Sequence, residues 1–562
     1  MSDTSLNDAP RPRRRRTRPA APPAVPAPDA AGTPQVFIRL YRARLPGASY
    51  KGLLGDCFLI RIVAGGVQST ILIDCGILLG SPDAAARMAA IGADIVKETG
   101  GTLDLLVVTH EHWDHVSGFD QARDVFLGDP ATGTPPKLKI AQMWMAWTED
   151  LADPDASALR ARFDKTGTAL ALLAERMAAD RASGAASPFA AAPEAATLGL
   201  EKFLGPLGDD PTGDAGLLGA GGGKRLTGRA IFEALKSVSV ATRYLSPGTV
   251  LSTPTASPLR AYVLGPPRNL KRLFKDLPTK AEHGSLYLDR GGYNAALMLD
   301  VARGADADDL ARHSPFSRRY TGIHSVEVEA APDAGPDAPE PARIRAWLRG
   351  RYFDSHVPCR FGDDAPPKHD CAKDLGCGAR QGIRRIDGDW LAAAGPLALK
   401  LDADTNNTSL VLAFELPDAS IMLFAADAQV GNWESWHDQD YSADGRAVTA
   451  VELLARTRFY KVGHHGSHNA TLTDQGLERM TRDDLVAAIS TDFELGRQQG
   501  SKGWNMPNER VKAALLRQSK GRLIRSDRDR ATDDDVAGFA ADPDFVDRLR
   551  ETPLYIEYRV FG

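Results

Sequence analysis

Short apolar runs, most of them bounded by an acid, a histidine or a glycine, recur along this chain and predict buried strands. They fall at residues 55–60, 70–76, 103–109, 262–267, 420–427 and 459–463. Helical patterning is confined to the stretches between them. Residues 156–181 are Ala- and Leu-rich with Arg, Asp and Glu interspersed, residues 226–238 predict a second helix, and Arg268, Lys271, Arg272 and Lys275 sit on a short third one. Residues 211–223 form a Gly-rich break, and the Pro-, Ala- and Asp-rich stretch 330–341 reads as an exposed loop. Gly221-Gly222-Gly223-Lys224 lacks the spacing of a phosphate loop and reads as linker.

Chemistry concentrates directly after one predicted strand. Three of the 12 histidines lie in His110-Glu111-His112-Trp113-Asp114-His115. A strand end opening into a loop is a common place for a site built on a rigid scaffold. His110 and His112 are two residues apart, so both imidazoles can turn toward one ion, and Asp114 and His115 follow closely enough to serve a second. Imidazole and carboxylate donors suit zinc, manganese or iron, and two such ions side by side make a hydrolytic site.

Strand followed by HxHxDH resembles the signature of the metallo-β-lactamase fold superfamily. The resemblance implies an α/β fold, an αββα sandwich with a dinuclear metal site along one edge of the paired sheets. It implies that Asp74, ending the 70–76 strand, orients the metal-binding loop by hydrogen bonds. It makes Asp427 the bridging carboxylate and brings one of the paired histidines to the second ion. His464, first off its strand, is favoured, with His465 left open. The segments Lys461-Val462-Gly463-His464-His465-Gly466-Ser467, Asn406-Asn407-Thr408-Ser409 and Met506-Pro507-Asn508-Glu509-Arg510-Val511 are similar to the metallo-β-lactamase-like domain of competence (ComEC-type) DNA-uptake proteins. Ala488-Ile489-Ser490 and Arg525-Ser526-Asp527 add to that similarity.

One departure stands out. The superfamily usually supplies a further histidine between HxHxDH and the bridging acid, and none stands in a matching context here. The resemblance puts Asn407 or Ser409 nearby instead. The first ion is then left with His110, His112, Asp427 and water, which favours manganese or occupancy that waits for substrate. A bridging water would act as nucleophile once deprotonated, positioned by Asp114, with His468 or Ser467 contacting a leaving group or phosphate.

Length and charge add bounds. The 562 residues exceed what such a domain needs, so residues 35–562 are expected to form one hydrolase domain carrying two insertions, about 145–245 (helical) and 268–400 (loop-rich). The second insertion holds Cys359, Cys371 and Cys377 beside His356 and His369. These are candidates for a structural zinc, although their spacings match no regular zinc finger. Residues 1–34 read as a disordered tail with the basic run Arg13-Arg14-Arg15-Arg16, lacking the apolar core of a secretory signal. No run is long and apolar enough to span a bilayer. With five cysteines in so long a chain, a cytoplasmic location is expected and no membrane partner.

The net charge of −5 carries no overall basic field, so any nucleic-acid surface must be local. The leading expectation is phosphodiester cleavage, with nucleic acid or another phosphodiester as substrate and two zinc or manganese ions as cofactors. The alternatives are hydrolysis of a small ester, thioester or lactam, or a latent effector subunit, possible in a defence assembly, whose insertions bind protein partners.

Overall fold

The computed structural model describes residues 33–129, 132–167, 226–275, 328, 331–352, 394–442, 445–499, 503–528 and 542–562. The arginine run of the tail and the group His356, Cys359, His369, Cys371 and Cys377 lie outside the described residues, as does 211–223.

The first half of the chain supplies β1 (Gln35–Tyr41), β2 (Cys57–Ala64), β3 (Val67–Cys75), β4 (Thr102–Leu103), β5 (Leu105–Val107), β6 (Lys139–Ile140), β7 (Met143–Ala146) and β8 (Thr242–Leu245). There follow β9 (Val250–Ser252), β10 (Arg260–Gly265), β11 (Val411–Glu415), β12 (Ile421–Phe424), β13 (Thr457–Lys461), β14 (Val486–Ile489), β15 (Leu523–Arg525), β16 (Leu549–Glu551) and β17 (Tyr555–Phe561). One sheet runs β16-β17-β1-β2-β3-β5-β7-β8, the other β15-β14-β13-β12-β11-β10-β9, and β4 pairs with β6 alone.

Alternation along the strands explains why the sheets stack. Phe58, Ile60 and Ile62 of β2 point to the same core as Leu412 and Phe414 of β11 and Phe424 of β12. Cys57 and Leu59, one residue out of phase, face Met88, Ile91 and Ile95 of the helix Ala84–Thr99 and Trp113 and Phe119 of the helix Trp113–Gln121. On the far side, Val411, Leu423 and Tyr460 pack under Trp433, Trp436 and Leu453. Each fully buried side chain of this kind contributes roughly 1.5–3 kcal/mol. Helices thus cover both outer faces of two packed sheets, giving the α/β, αββα sandwich of the metallo-β-lactamase fold.

The predicted strand at 103–109 is split. Asp104 turns its carboxylate onto Thr70, accepting from Thr70 N at 2.8 Å, so β4 and β5 pair with different partners. Residues 154–167 are helical, and so is Gly228–Val238, capped by Thr227. That second helix leads into β8, which lies parallel to β7 at the sheet edge, so residues 228–245 belong to the sandwich layer. Among the described residues no helix is long and apolar enough to cross a membrane. The parallel strands β3, β5, β12, β13 and β14 all end at one edge of the sandwich, with Asp74 next to last in β3 and His110, Asp427, His464 and Ser490 just after the others.

Candidate metal centre

The loop after β5 is clamped by backbone contact before any side chain acts. Asp56 N donates to Asp114 O at 2.9 Å, and a Cβ on Gly76 would lie 2.3 Å from the same oxygen. Only glycine permits that approach. His112 is extended and precedes the helix Trp113–Gln121, whose first turn presents Asp114 and His115. The positive end of the helix favours the Asp114 carboxylate there.

Asp74 organises this loop from the end of β3, at a left-handed φ of 55° that tight packing must hold in place. Its Oδ1 accepts from Thr109 N at 2.8 Å, and its Oδ2 accepts from Thr109 Oγ1 at 2.7 Å and lies 2.8 Å from His115 Nδ1. His115 Nδ1 therefore carries a proton, and Nε2 lies 3.2 Å from Asp427 Oδ2. Thr109 has spent its one proton on Asp74, so it accepts from His110 Nδ1 at 3.1 Å. Nε2 of His110 is left with its lone pair facing inward, buried and without a hydrogen-bond partner.

The other sheet supplies the opposite wall. Ser409 Oγ accepts from Asp427 N at 3.2 Å and lies 3.3 Å from His110 Nδ1, tying the two halves together. Asp427 Oδ1 accepts from His464 N at 3.1 Å, which leaves Oδ2 between His115 Nε2 and His464 Nε2, 3.9 Å away. His465 donates from Nδ1 to Ser490 O at 2.7 Å and places Nε2 2.8 Å from Asp114 Oδ2. Ala426, His464 and His465 all have positive φ, a cluster of strain that the surrounding bonds hold.

Burial governs the charges. It pushes His110 well below the usual imidazole range and His112 down to about 4, so both are neutral, as ligands must be. Burial also pushes His115 and His465 down, but Asp114 and Asp427 carry both above the ordinary value. Burial pushes Asp427 up, yet His115 and His464 hold it well below the carboxylate range. Asp402, on the helix Ala394–Asn406, is driven well above that range by burial and by Asp114 and Asp427.

These residues fit divalent metal. Ligand atoms of Asp114, His115, Asp427 and His465 all lie within 4.8 Å of one another, and all four residues are buried. Besides His110 Nε2, Asp114 Oδ1 is buried without a hydrogen-bond partner, an expensive arrangement unless a cation compensates it. A second close group, Asp56, Asp74 and His115, is not equivalent. There Lys461, buried and ion-paired with Asp56, already supplies the positive charge, and Asp74 is saturated by hydrogen bonds.

The remaining expected residues divide. Ser409 lies within the centre. Asn407 turns away from the donors, accepting from Gln429 N and donating to Lys275 O, both at 3.0 Å, and so sets the entry to the helix Val430–Trp436. Ser467 is buried and donates to Asn469 Oδ1, whereas His468 is exposed further along that loop. Asp56 and Asp402 had no place among the expected site residues, and Lys461 and Ser490 stood only within motif segments, without a role. A charged residue at the end of an apolar strand was the available signal for Lys461, and Asp402 carried none.

No curated protein and no solved structure matches the chain. Residues 50–127 match the family model described as Metallo-beta-lactamase superfamily, a span running from before β2 through the whole HxHxDH loop. That match shows a resemblance of this segment to the metallo-β-lactamase superfamily, with which the sandwich and the buried His/Asp centre agree, and the resemblance suggests a metal-dependent hydrolase.

Proposed function

We propose that the chain is a dinuclear metal-dependent hydrolase that cleaves phosphodiesters, in nucleic acid or a nucleotide. The observation that carries the two-ion reading is His110 Nε2, buried and unpartnered outside the close group of Asp114, His115, Asp427 and His465. His110, His112 and Asp427 would hold one ion, and Asp114, His115, Asp427 and His465 the other. Divalent ions there supply Lewis-acid charge and make hydroxide available near neutral pH.

The chain's own residues do the positioning. Asp74 and Ser490 fix the rings of His115 and His465 through their Nδ1 atoms, so neither ring can turn away. Asp114, held by His465, presents its second oxygen inward to orient a proton-bearing nucleophile.

Phosphodiester as the substrate class is supported by the ComEC-type motif similarity and by cations paired with the helix that carries Asp402 and the helix that follows Asp427. Arg162, at 46% side-chain exposure, approaches Asp404 and covers Phe274, while Arg272 and Lys275 bind Glu434. Such side chains can exchange a carboxylate for a phosphate.

The test uses full-length protein stripped of metal and reloaded with manganese or zinc, assayed on DNA, RNA, a simple phosphodiester, a thioester and a lactam. Metal-dependent phosphodiester cleavage that disappears in an Asp114→Ala, His115→Ala variant supports the proposal. Turnover of only the thioester or lactam, or none with two ions bound, rejects it.

A further inference from the structure

We propose that Asp402 is a ligand of the first ion, occupying the position for which the motif pattern supplies no third histidine. The inference rests on the two-ion reading above. Asp402 Oδ1 lies 3.6 Å from His112 Nε2. That is beyond hydrogen-bond reach. It is close to the separation of two donors sharing a tetrahedral ion, about 3.3 Å for bonds of about 2.0–2.1 Å. The same oxygen is buried and accepts no hydrogen bond, while Oδ2 is only weakly held by Asn406 Nδ2 at 3.4 Å. His110, whose Nε2 is itself buried and unpartnered, packs its ring against that of His112 with centroids 4.7 Å apart.

The placement is built into the backbone. Leu410 N donates to Thr109 O at 3.0 Å, so the segment after the helix Ala394–Asn406 is registered against the residue before His110. The helix is pinned further by Lys400, which donates to Phe274 O at 2.7 Å. Asp402 therefore faces His112 because its helix cannot slide. Two imidazoles with two carboxylates form a harder shell than three imidazoles and suit manganese or iron(II) as well as zinc.

The experiment titrates metal-stripped, full-length protein with Mn²⁺, following free ion by electron paramagnetic resonance. Wild-type protein is expected to bind two ions, and Asp402→Asn to lose at least about tenfold affinity at one site and nothing at the other. Asp483→Asn, a surface carboxylate paired with Lys520 and outside the centre, should leave both affinities unchanged. If Asp402→Asn fails to fold, Asp402→Glu loaded with Co²⁺ should show an altered visible spectrum. Two wild-type-like Mn²⁺ affinities in Asp402→Asn, or an unaltered cobalt spectrum in Asp402→Glu, would overturn the assignment. Fewer than two ions in the wild-type protein would instead sink the two-ion reading itself.

Discussion

His115 Nδ1 and Asp74 Oδ2 meet at 2.8 Å across two strand ends, and through this one bond the end of β3 decides which ring nitrogen of His115 faces Asp427. The ring's orientation is thereby a property of the sheet, not of the loop. Asp74→Ala is predicted to lower affinity for the ion beside His115 about 10–100-fold, the usual cost of losing an orienting partner. Metal titration of the stripped protein checks this, and unchanged affinity would mean the loop holds His115 unaided.

Proton release should accompany metal uptake. Without metal, His115 and His465 lie above the usual histidine value, because nearby carboxylates outweigh burial, so both retain their protons further into the neutral range. A bound ion must displace those protons, so apparent affinity should rise with pH through their titration. His110 and His112, held neutral by burial, contribute nothing to this slope in the neutral range. Calorimetry in buffers of different ionisation heat should show proton release; a buffer-independent heat would contradict it.

Lys461 and Asp56 form a fully buried ion pair, both about 2% exposed, directly behind the metal donors. Removing one partner of such a pair strands the other charge. Lys461→Met should cost about 3–5 kcal/mol in denaturant unfolding, and adding Asp56→Asn should restore part of that loss. Additive losses in the double variant would show that the two groups act independently.

Backbone clamping gives a purely steric prediction. In Gly76→Ala the new Cβ meets Asp114 C, O and His115 N at 2.2–2.4 Å, atoms that cannot move without displacing two donors. Bound metal per chain, measured by elemental analysis, should fall to one ion or none. Full loading would mean the loop has room the packing does not show.

What could be read without the structure follows from locality. HxHxDH, Asp74, Asp427 and the His464-His465 pair each lie at the end of an apolar run, so contiguous sequence marks them. The sheet position of β8 was hidden because its pairing with β7 spans nearly a hundred residues and no local pattern records it. Asp402 was hidden for a similar reason: an acid on a polar helix becomes a candidate ligand only when Leu410 and Thr109 bring that helix to His112. The split of the 103–109 strand depended on Asp104 choosing Thr70 as a partner.

The central claim is a two-ion centre at this sheet edge, and anomalous X-ray scattering from crystals of manganese-loaded protein tests it most directly. Two peaks are predicted, one among His110, His112, Asp402 and Asp427, the other among Asp114, His115, Asp427 and His465. A single peak, or peaks away from these side chains, would contradict the account.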